Sequence, residues 1–258
     1  MKDRERREEQ EEGYGSISIQ ASPFLRWLDN FWYHYKWHTI GIAFALIVVL
    51  VCTLQTCSKE SYDIKVVYAG PVSLNGDQVT GVDQLLDLTL PEDFDGDGEK
   101  NVSLIRHTIY SKEQIEEIQE ANRKEIEEKG EEATEIYINT QFNSEEYDSF
   151  YSEITAGASA VYLIDPWLYE ELRATKGGAY LRQLYGGEDA LLSEPVEGLL
   201  EDGYGVRLGE TALYREYKVF QALPEDTVIC LLAKLLPHGD EMYENSEAML
   251  CALVKSGE

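Results

Sequence analysis

The chain has 258 residues, is 43% hydrophobic and carries a formal net charge of −27. That length suffices for one sizeable domain with extra segments, and that hydrophobic content excludes wholesale disorder. The charge lies almost entirely beyond residue 58, where 42 acidic side chains stand against 16 basic ones. So acidic a surface repels nucleic acid and anionic lipid headgroups, which we exclude as partners of this region. It either attracts cations and basic surfaces or serves only solubility.

Residues 1–22 form a charged tail, and the pair Ser22-Pro23 has the pattern of a helix N-cap followed by Pro at the first helical position. Aromatic side chains then recur at helical spacing through residues 23–38. Such rings settle at the boundary between membrane and water. We predict a juxtamembrane helix at 23–38, lying on the inner membrane face or continuous with the next segment.

The next segment, residues 39–57, is apolar, with no charge from Thr39 to Leu54. It approaches the roughly 20 residues that cross a hydrocarbon core. It lacks the polar face of a core helix, and the 38 residues before it are too many for the start of a cleaved signal peptide. We therefore predict one transmembrane helix.

Basic side chains precede this helix in greater number than they follow it, which favours a cytoplasmic N-terminus. After a linker at 58–62, residues 63–258 would then form an extracellular domain of a single-pass cell-membrane protein. The run FWYHYKWHTI is similar to juxtamembrane segments of single-pass membrane proteins from Gram-positive anaerobic bacteria.

Hydrophobic runs predict seven strands in residues 63–258. They are Ile64–Tyr68, Val102–Tyr110, Glu135–Thr140, Ala160–Ile164, Val206–Leu208, Tyr214–Phe220 and Thr227–Ala233. The segment Val82–Leu90 fits a helix or a strand equally well.

Capping residues predict four helices in the same region. Ser111 begins an exposed helix to about Lys129, with Gln114 as its capping-box partner, and Ser144 caps a second helix. Asp165 precedes Pro166 at the start of a third, and Asn245 caps a fourth. Residues 135–175 thus alternate strand, helix, strand, helix, which predicts an α/β sandwich with parallel strands.

The stretch FNSEEYDSFYSEITAGASAVYLIDPWLYEEL resembles part of an extracellular solute-binding protein of the periplasmic type, and LPEDTVICLLAKL resembles the closing segments of that family. The resemblance implies ligand binding between two lobes, at the carboxyl ends of strands. Residues 59–258 are enough for one lobe and part of another. We name Asp165, Trp167 and Gln141 as the candidate ligand-binding residues.

A second candidate site is an Asp-rich loop in which Asp93, Asp95, Asp97 and Asn101 occupy positions one, three, five and nine of a DxDxDGxxN pattern. Oxygen ligands at this spacing suit Ca²⁺, and the loop resembles calcium loops of EF-hand and dockerin type. Leu104 stands where an EF-hand has its bidentate Glu. A structural calcium site and a solvated acidic turn both fit the pattern.

No HExxH, GxSxG or phosphate-binding loop occurs in the chain, so we predict that it is not an enzyme. Cys230 and Cys251 fall in apolar surroundings, which favours two buried thiols over a disulfide. Two hypotheses remain: a membrane-tethered domain that binds a small solute or envelope component, and a non-catalytic scaffold that docks an envelope protein and has no ligand pocket.

Overall fold

The structure is a computed structural model that describes residues 23–57, 62–175, 180–234 and 239–255. The charged tail at 1–22 and most of the linker at 58–62 lie outside the described residues. The chain divides into two compact units, one up to Glu60 and one from Ser61 onward. Each is described by itself.

The first unit contains one continuous helix, α1, from Pro23 to Cys57. The juxtamembrane segment and the apolar segment are therefore one element. The 24 residues of Asn30–Thr53 have a mean hydropathy of 1.8, and none is buried within the protein. Stacked rings four residues apart, Trp27 on Phe31 and Phe31 on Tyr35, line its first turns. This helix is long and apolar enough to cross a membrane.

The second unit is built on a five-stranded mixed sheet with the order β2-β1-β3-β5-β4. The strands are β1 Ile64–Gly70, β2 Val102–Thr108, β3 Val161–Ile164, β4 Gly205–Arg207 and β5 Val228–Leu231. The first three are parallel to one another, whereas β5 runs antiparallel to both β3 and β4. Five of the seven predicted strands are confirmed, and the fold is α/β.

Helices cover both faces of the sheet. The helices described in this unit are α2 Gly76–Thr89, α3 Lys112–Lys129, α4 Thr140–Ala156, α5 Pro166–Ala174, α6 Ala212–Glu216 and α7 Asp240–Lys255, with 3₁₀ turns at Gly130–Glu132, Leu208–Glu210 and Phe220–Ala222. The segment Val82–Leu90, which the pattern left undecided, is helical as far as Thr89, the end of α2, and Leu90 is the C-cap.

Alternate side chains of β1 point to opposite faces of the sheet and belong to two separate hydrophobic cores. Val66 and Tyr68 pack with residues of α2 and α7, whereas Val67 and Ala69 pack with residues of α4 and α5. A strand buried on both faces is expected for the centre of a parallel sheet. Helix α3 buries none of its residues, which confirms that it is exposed.

The predicted strand at Glu135–Thr140 is wrong, and so is the helix start at Ser144. Residues 133–139 lie outside the sheet, and Asn139 caps α4 by accepting from the N–H groups of Gln141 and Phe142. The Asn122 side chain of α3 exchanges two hydrogen bonds with the backbone of Ile136, at 2.8 and 3.0 Å, which holds this segment against the helix and not beside β2, the edge strand of the sheet. An earlier cap then starts the helix at Thr140.

Two later predictions are also wrong. Residues Tyr214–Phe220 do not form a strand, because Thr211 caps the short helix α6 by accepting from the N–H of Tyr214 at 3.2 Å. The last helix begins at Asp240, five residues before the predicted cap Asn245. Tyr243 fixes this earlier turn, since its buried hydroxyl donates to the Leu232 carbonyl at 2.9 Å.

Candidate functional site

The order of the strands creates a switch in direction beside β1. The chain leaves β1 for β2 on one side, and later returns to add β3 on the other. The first connection contains α2, which packs on one face, and the second ends in α4, which packs on the other. In open α/β sheets, the crevice outside the carboxyl ends of the strands at such a point is the usual ligand site.

Asp165 stands at this point, directly after β3. Its N–H donates to the Ala69 carbonyl of β1 at 2.9 Å. One carboxylate oxygen accepts from the N–H of Trp167 at 3.1 Å and so caps α5, and the other accepts from the Gln114 side chain at 3.1 Å. Burial raises the pKa of this carboxyl above its usual range, although both hydrogen bonds act in the opposite direction.

Gln114 joins the starts of two helices. Its amide oxygen accepts from the N–H of Ser111, which completes the predicted capping box of α3, while its amide nitrogen donates to Asp165 at the cap of α5. Asn143 adds a third connection, because its side chain exchanges two hydrogen bonds, at 2.8 and 3.1 Å, with the backbone of Tyr110 after β2. These amides fix the starts of α3, α4 and α5 around the ends of the strands.

Between these three helix starts lies a groove of about 600 Å³. It is lined by Tyr110, Ser111, Lys112, Glu113, Ile115, Thr140, Asn143, Ser144, Tyr147, Trp167 and Glu171. The lining combines aromatic rings with hydroxyl, amide and carboxylate groups, as ligand sites commonly do.

The aromatic wall of the groove is formed by Trp167 and Tyr147, whose rings lie 8° from parallel with centroids 6.1 Å apart. The Tyr147 hydroxyl donates to the Glu171 carboxylate. Burial and this hydrogen bond raise the pKa of Tyr147, so the phenol stays protonated near neutral pH. Among the described residues, the indole nitrogen of Trp167 has no hydrogen-bond partner.

The structure brings two of the three candidate ligand residues together. Trp167 lines the groove, and Asp165 caps the helix that carries Trp167. Gln141 instead lies on the exposed side of α4, where its amide donates to Glu145 at 2.9 Å, and it does not line the groove. Sequence reasoning missed Asn143 and Glu171. Their four-residue spacing from Tyr147 and Trp167 is the signal that places each pair on one helix face.

The Asp-rich loop lies at the opposite, amino ends of β1 and β2. Carboxylate oxygens of Asp93 and Asp95 lie within 4.8 Å of one another and of Asp63, which precedes β1. Sequence reasoning missed Asp63, because thirty residues separate it from the loop. These three carboxylates could hold a metal ion.

Side-chain oxygens in and beside this loop already accept hydrogen bonds from backbone N–H groups. Asp63 accepts from the N–H groups of Phe94, Asp95 and Asn101 at 2.6, 3.0 and 2.9 Å. Asp97 accepts from the N–H of Glu99 at 2.9 Å, and the Asn101 side-chain oxygen accepts from the N–H of Asp63 at 3.1 Å. The calcium site proposed for Asp93, Asp95, Asp97 and Asn101 stays a prediction.

The cysteines of this unit are free thiols. Cys230 is fully buried in β5, and Cys251 is half-buried in α7. Burial raises the pKa of both thiols, which keeps them protonated and unreactive.

No protein-family model matches this chain, and neither the search of curated proteins nor the search of solved structures found a significant match. Function must therefore be argued from the site itself.

Proposed function

We propose that this protein is a membrane-tethered binding domain that resembles a lobe of the solute-binding proteins and takes a small solute in the groove at the carboxyl ends of β1, β2 and β3. In this proposal α1 spans the cell membrane with its N-terminus in the cytoplasm, and the second unit is extracellular. The observation that supports this proposal is the groove between the starts of α3, α4 and α5.

The position and chemistry of the groove support this function. Its volume of about 600 Å³ lies in the range of small-molecule sites. The rings of Tyr147 and Trp167 offer apolar surface, whereas Glu171 and Asn143 offer polar groups that can orient a ligand. Glu113 and Glu171 outnumber the single cation Lys112, so the groove disfavours anionic solutes.

Side-chain hydrogen bonds hold the walls of the groove in place. Three separate side-chain amide and carboxylate links, through Gln114, Asp165 and Asn143, hold its walls. A wall fixed before the ligand arrives avoids part of the ordering cost of binding. We keep the prediction that binding, without catalysis, is what this groove performs.

The test is thermal unfolding of the full-length protein in neutral detergent with a panel of neutral, cationic and anionic solutes. A ligand at 100 times its Kd stabilises the folded state by about 2.7 kcal/mol. For a unit of this size the expected increase in Tm is several degrees, roughly 5–10 °C. We expect a shift with one solute class and none with anions.

Two matched variants locate the binding. Ser144→Trp places a large ring on a residue that lines the groove, and Glu145→Trp places the same ring on the next exposed residue, outside the lining. The first should abolish the shift and the second should keep it. No shift with any solute, or a shift that survives Ser144→Trp, would replace this proposal with the scaffold hypothesis.

A further inference from the structure

Residues 133–139 form an extended segment between the 3₁₀ turn Gly130–Glu132 and the start of α4. Its two ends are extended, with φ and ψ of −65° and 139° at Ala133 and −78° and 103° at Asn139. Its sequence, with Ile136, Tyr137 and Ile138 in succession, favours a β-strand, yet it does not join the sheet.

One edge of this segment is held against α3. The Asn122 side chain donates to the Ile136 carbonyl at 2.8 Å and accepts from the Ile136 N–H at 3.0 Å. The N–H of Thr134 donates to Glu125 on the same helix at 3.4 Å. The Asn122 amide thus pairs with Ile136 as a residue of a neighbouring strand would, and this contact holds the segment extended.

The other edge is open. In an extended chain, the N–H and C=O of successive residues point to alternate sides. Because Thr134 and Ile136 face α3, the backbone groups of Glu135 and Tyr137 face away from it. Within the part of the chain that the structure describes, these four groups have no protein partner. An unpaired row of this kind is a template for a further strand.

Large apolar side chains are exposed around this edge. Tyr137 is 88% exposed, Ile136 60%, Phe142 52% and Ile126 40%. Ile126 lies one helical turn after Asn122, on the side of α3 that holds the segment. Tyr137 and Ile136, which are neighbours in the segment itself, are the most exposed of the four, and large exposed apolar side chains are common at interaction surfaces.

The charge of the residues around this segment indicates which kind of partner would bind it. Residues 125–135 contain six Glu and one Lys. A second copy of this chain would bring the same acidic residues face to face, which costs free energy. A basic segment would instead be attracted and correctly oriented.

We propose that residues 133–139 form a docking edge to which another protein adds an extended, basic segment as a β-strand. Main-chain hydrogen bonds to Glu135 and Tyr137 supply the pairing, and alternate side chains of the partner contact the exposed apolar residues. This site is separate from the groove and does not depend on it.

The probe is a synthetic peptide of alternating Lys and Val, titrated by calorimetry into the full-length protein in neutral detergent. Two matched peptides accompany it: one with Glu in place of Lys, and one N-methylated at every residue, which removes the N–H groups of both edges. We expect saturable one-to-one binding of the first peptide only. Equal binding of the N-methylated peptide, or of the acidic one, overturns the proposal.

A pair of proline variants tests the same edge on the protein. Tyr137→Pro removes an N–H from the open edge, whereas Ile138→Pro removes one from the edge that faces α3, and both are compatible with an extended chain. We expect Tyr137→Pro to weaken binding by about tenfold or more, because it removes one hydrogen bond and the exposed Tyr137 ring, and Ile138→Pro to leave it within about twofold. Equal effects, or concentration-dependent self-association of the free protein by sedimentation, contradict the proposal.

Discussion

The two ends of the parallel strands are both polar, but they use their polar groups differently. At the amino ends, Asp63 accepts three backbone N–H groups and closes the Asp-rich loop onto the start of β1 and β2. At the carboxyl ends, Gln114, Asp165 and Asn143 connect helix starts to strand ends and leave a groove between them.

The difference follows from the direction of the chain. Each parallel strand is followed by a segment that leaves from its carboxyl end, so helix N-termini gather there with their unsatisfied N–H groups. Capping side chains fill these positions and hold the helices apart. A loop that enters a strand from the amino end has no such set of helices around it. This difference is the reason that our proposed solute site lies at the carboxyl end, whereas we expect the amino end to contribute to fold stability.

Removing Asp63 is the strongest test of this division. Asp63→Ala leaves three N–H groups without their charged acceptor, and we expect the free energy of unfolding to fall by about 2–4 kcal/mol. Chemical denaturation measures it. The exposed Glu92→Ala is the control and should change stability by less than about 0.5 kcal/mol. Equal values for both variants would show that the loop does not support the fold.

The next test removes Gln114, the side chain that links the starts of α3 and α5. Gln114→Ala removes the capping-box bond to Ser111 and the bond to Asp165, and we expect a loss of about 1–2 kcal/mol together with weaker solute binding. Gln119→Ala, on an exposed position of the same helix, should affect neither. Unchanged solute binding in Gln114→Ala would separate the groove from its supporting amides.

Adding calcium tests whether the Asp-rich loop, at the amino ends of β1 and β2, holds an ion. At ten times its Kd, calcium would raise the free energy of unfolding by about 1.4 kcal/mol. A chelator should reverse the gain, Asp95→Asn should abolish it, and Glu99→Gln, with a side chain outside the Asp63, Asp93 and Asp95 group, should keep it. Stability that is identical in calcium and chelator would mean that backbone N–H groups alone complete this loop.

The smallest expected effect concerns pH. Burial raises the pKa of Asp165, so the native state binds its proton more tightly than the unfolded state, in which the pKa is about 3.9. This group therefore favours folding most below the unfolded pKa, and its contribution is lost as pH rises through the folded pKa.

Asp165→Asn should remove this dependence. Between the two pKa values, the wild-type protein should lose stability relative to Asp165→Asn as pH increases, and the difference should then stay constant. Denaturation at a series of pH values measures it, with the exposed Asp77→Asn as control. A difference that grows in the opposite direction would mean that hydrogen bonds to Trp167 and Gln114 outweigh burial.

The sequence determined those features that depend on neighbouring residues. The apolar helix, the strand at Ile64–Tyr68, the capping box of Ser111 and the cap at Asp165 were all predicted, because hydrophobic periodicity and capping act over a few residues. Trp167 was correctly placed beside the strand ends for the same reason.

Only the tertiary structure decided what depends on distant partners. Residues 135–140 have strand propensity, yet the Asn122 side chain pairs with the backbone of Ile136 and holds the segment against α3 instead of beside the edge strand β2. Asp63 meets the Asp-rich loop, and Asn143 meets Tyr110, across about thirty residues of sequence. No local pattern encodes such contacts, since they arise when the folded core brings separate segments together.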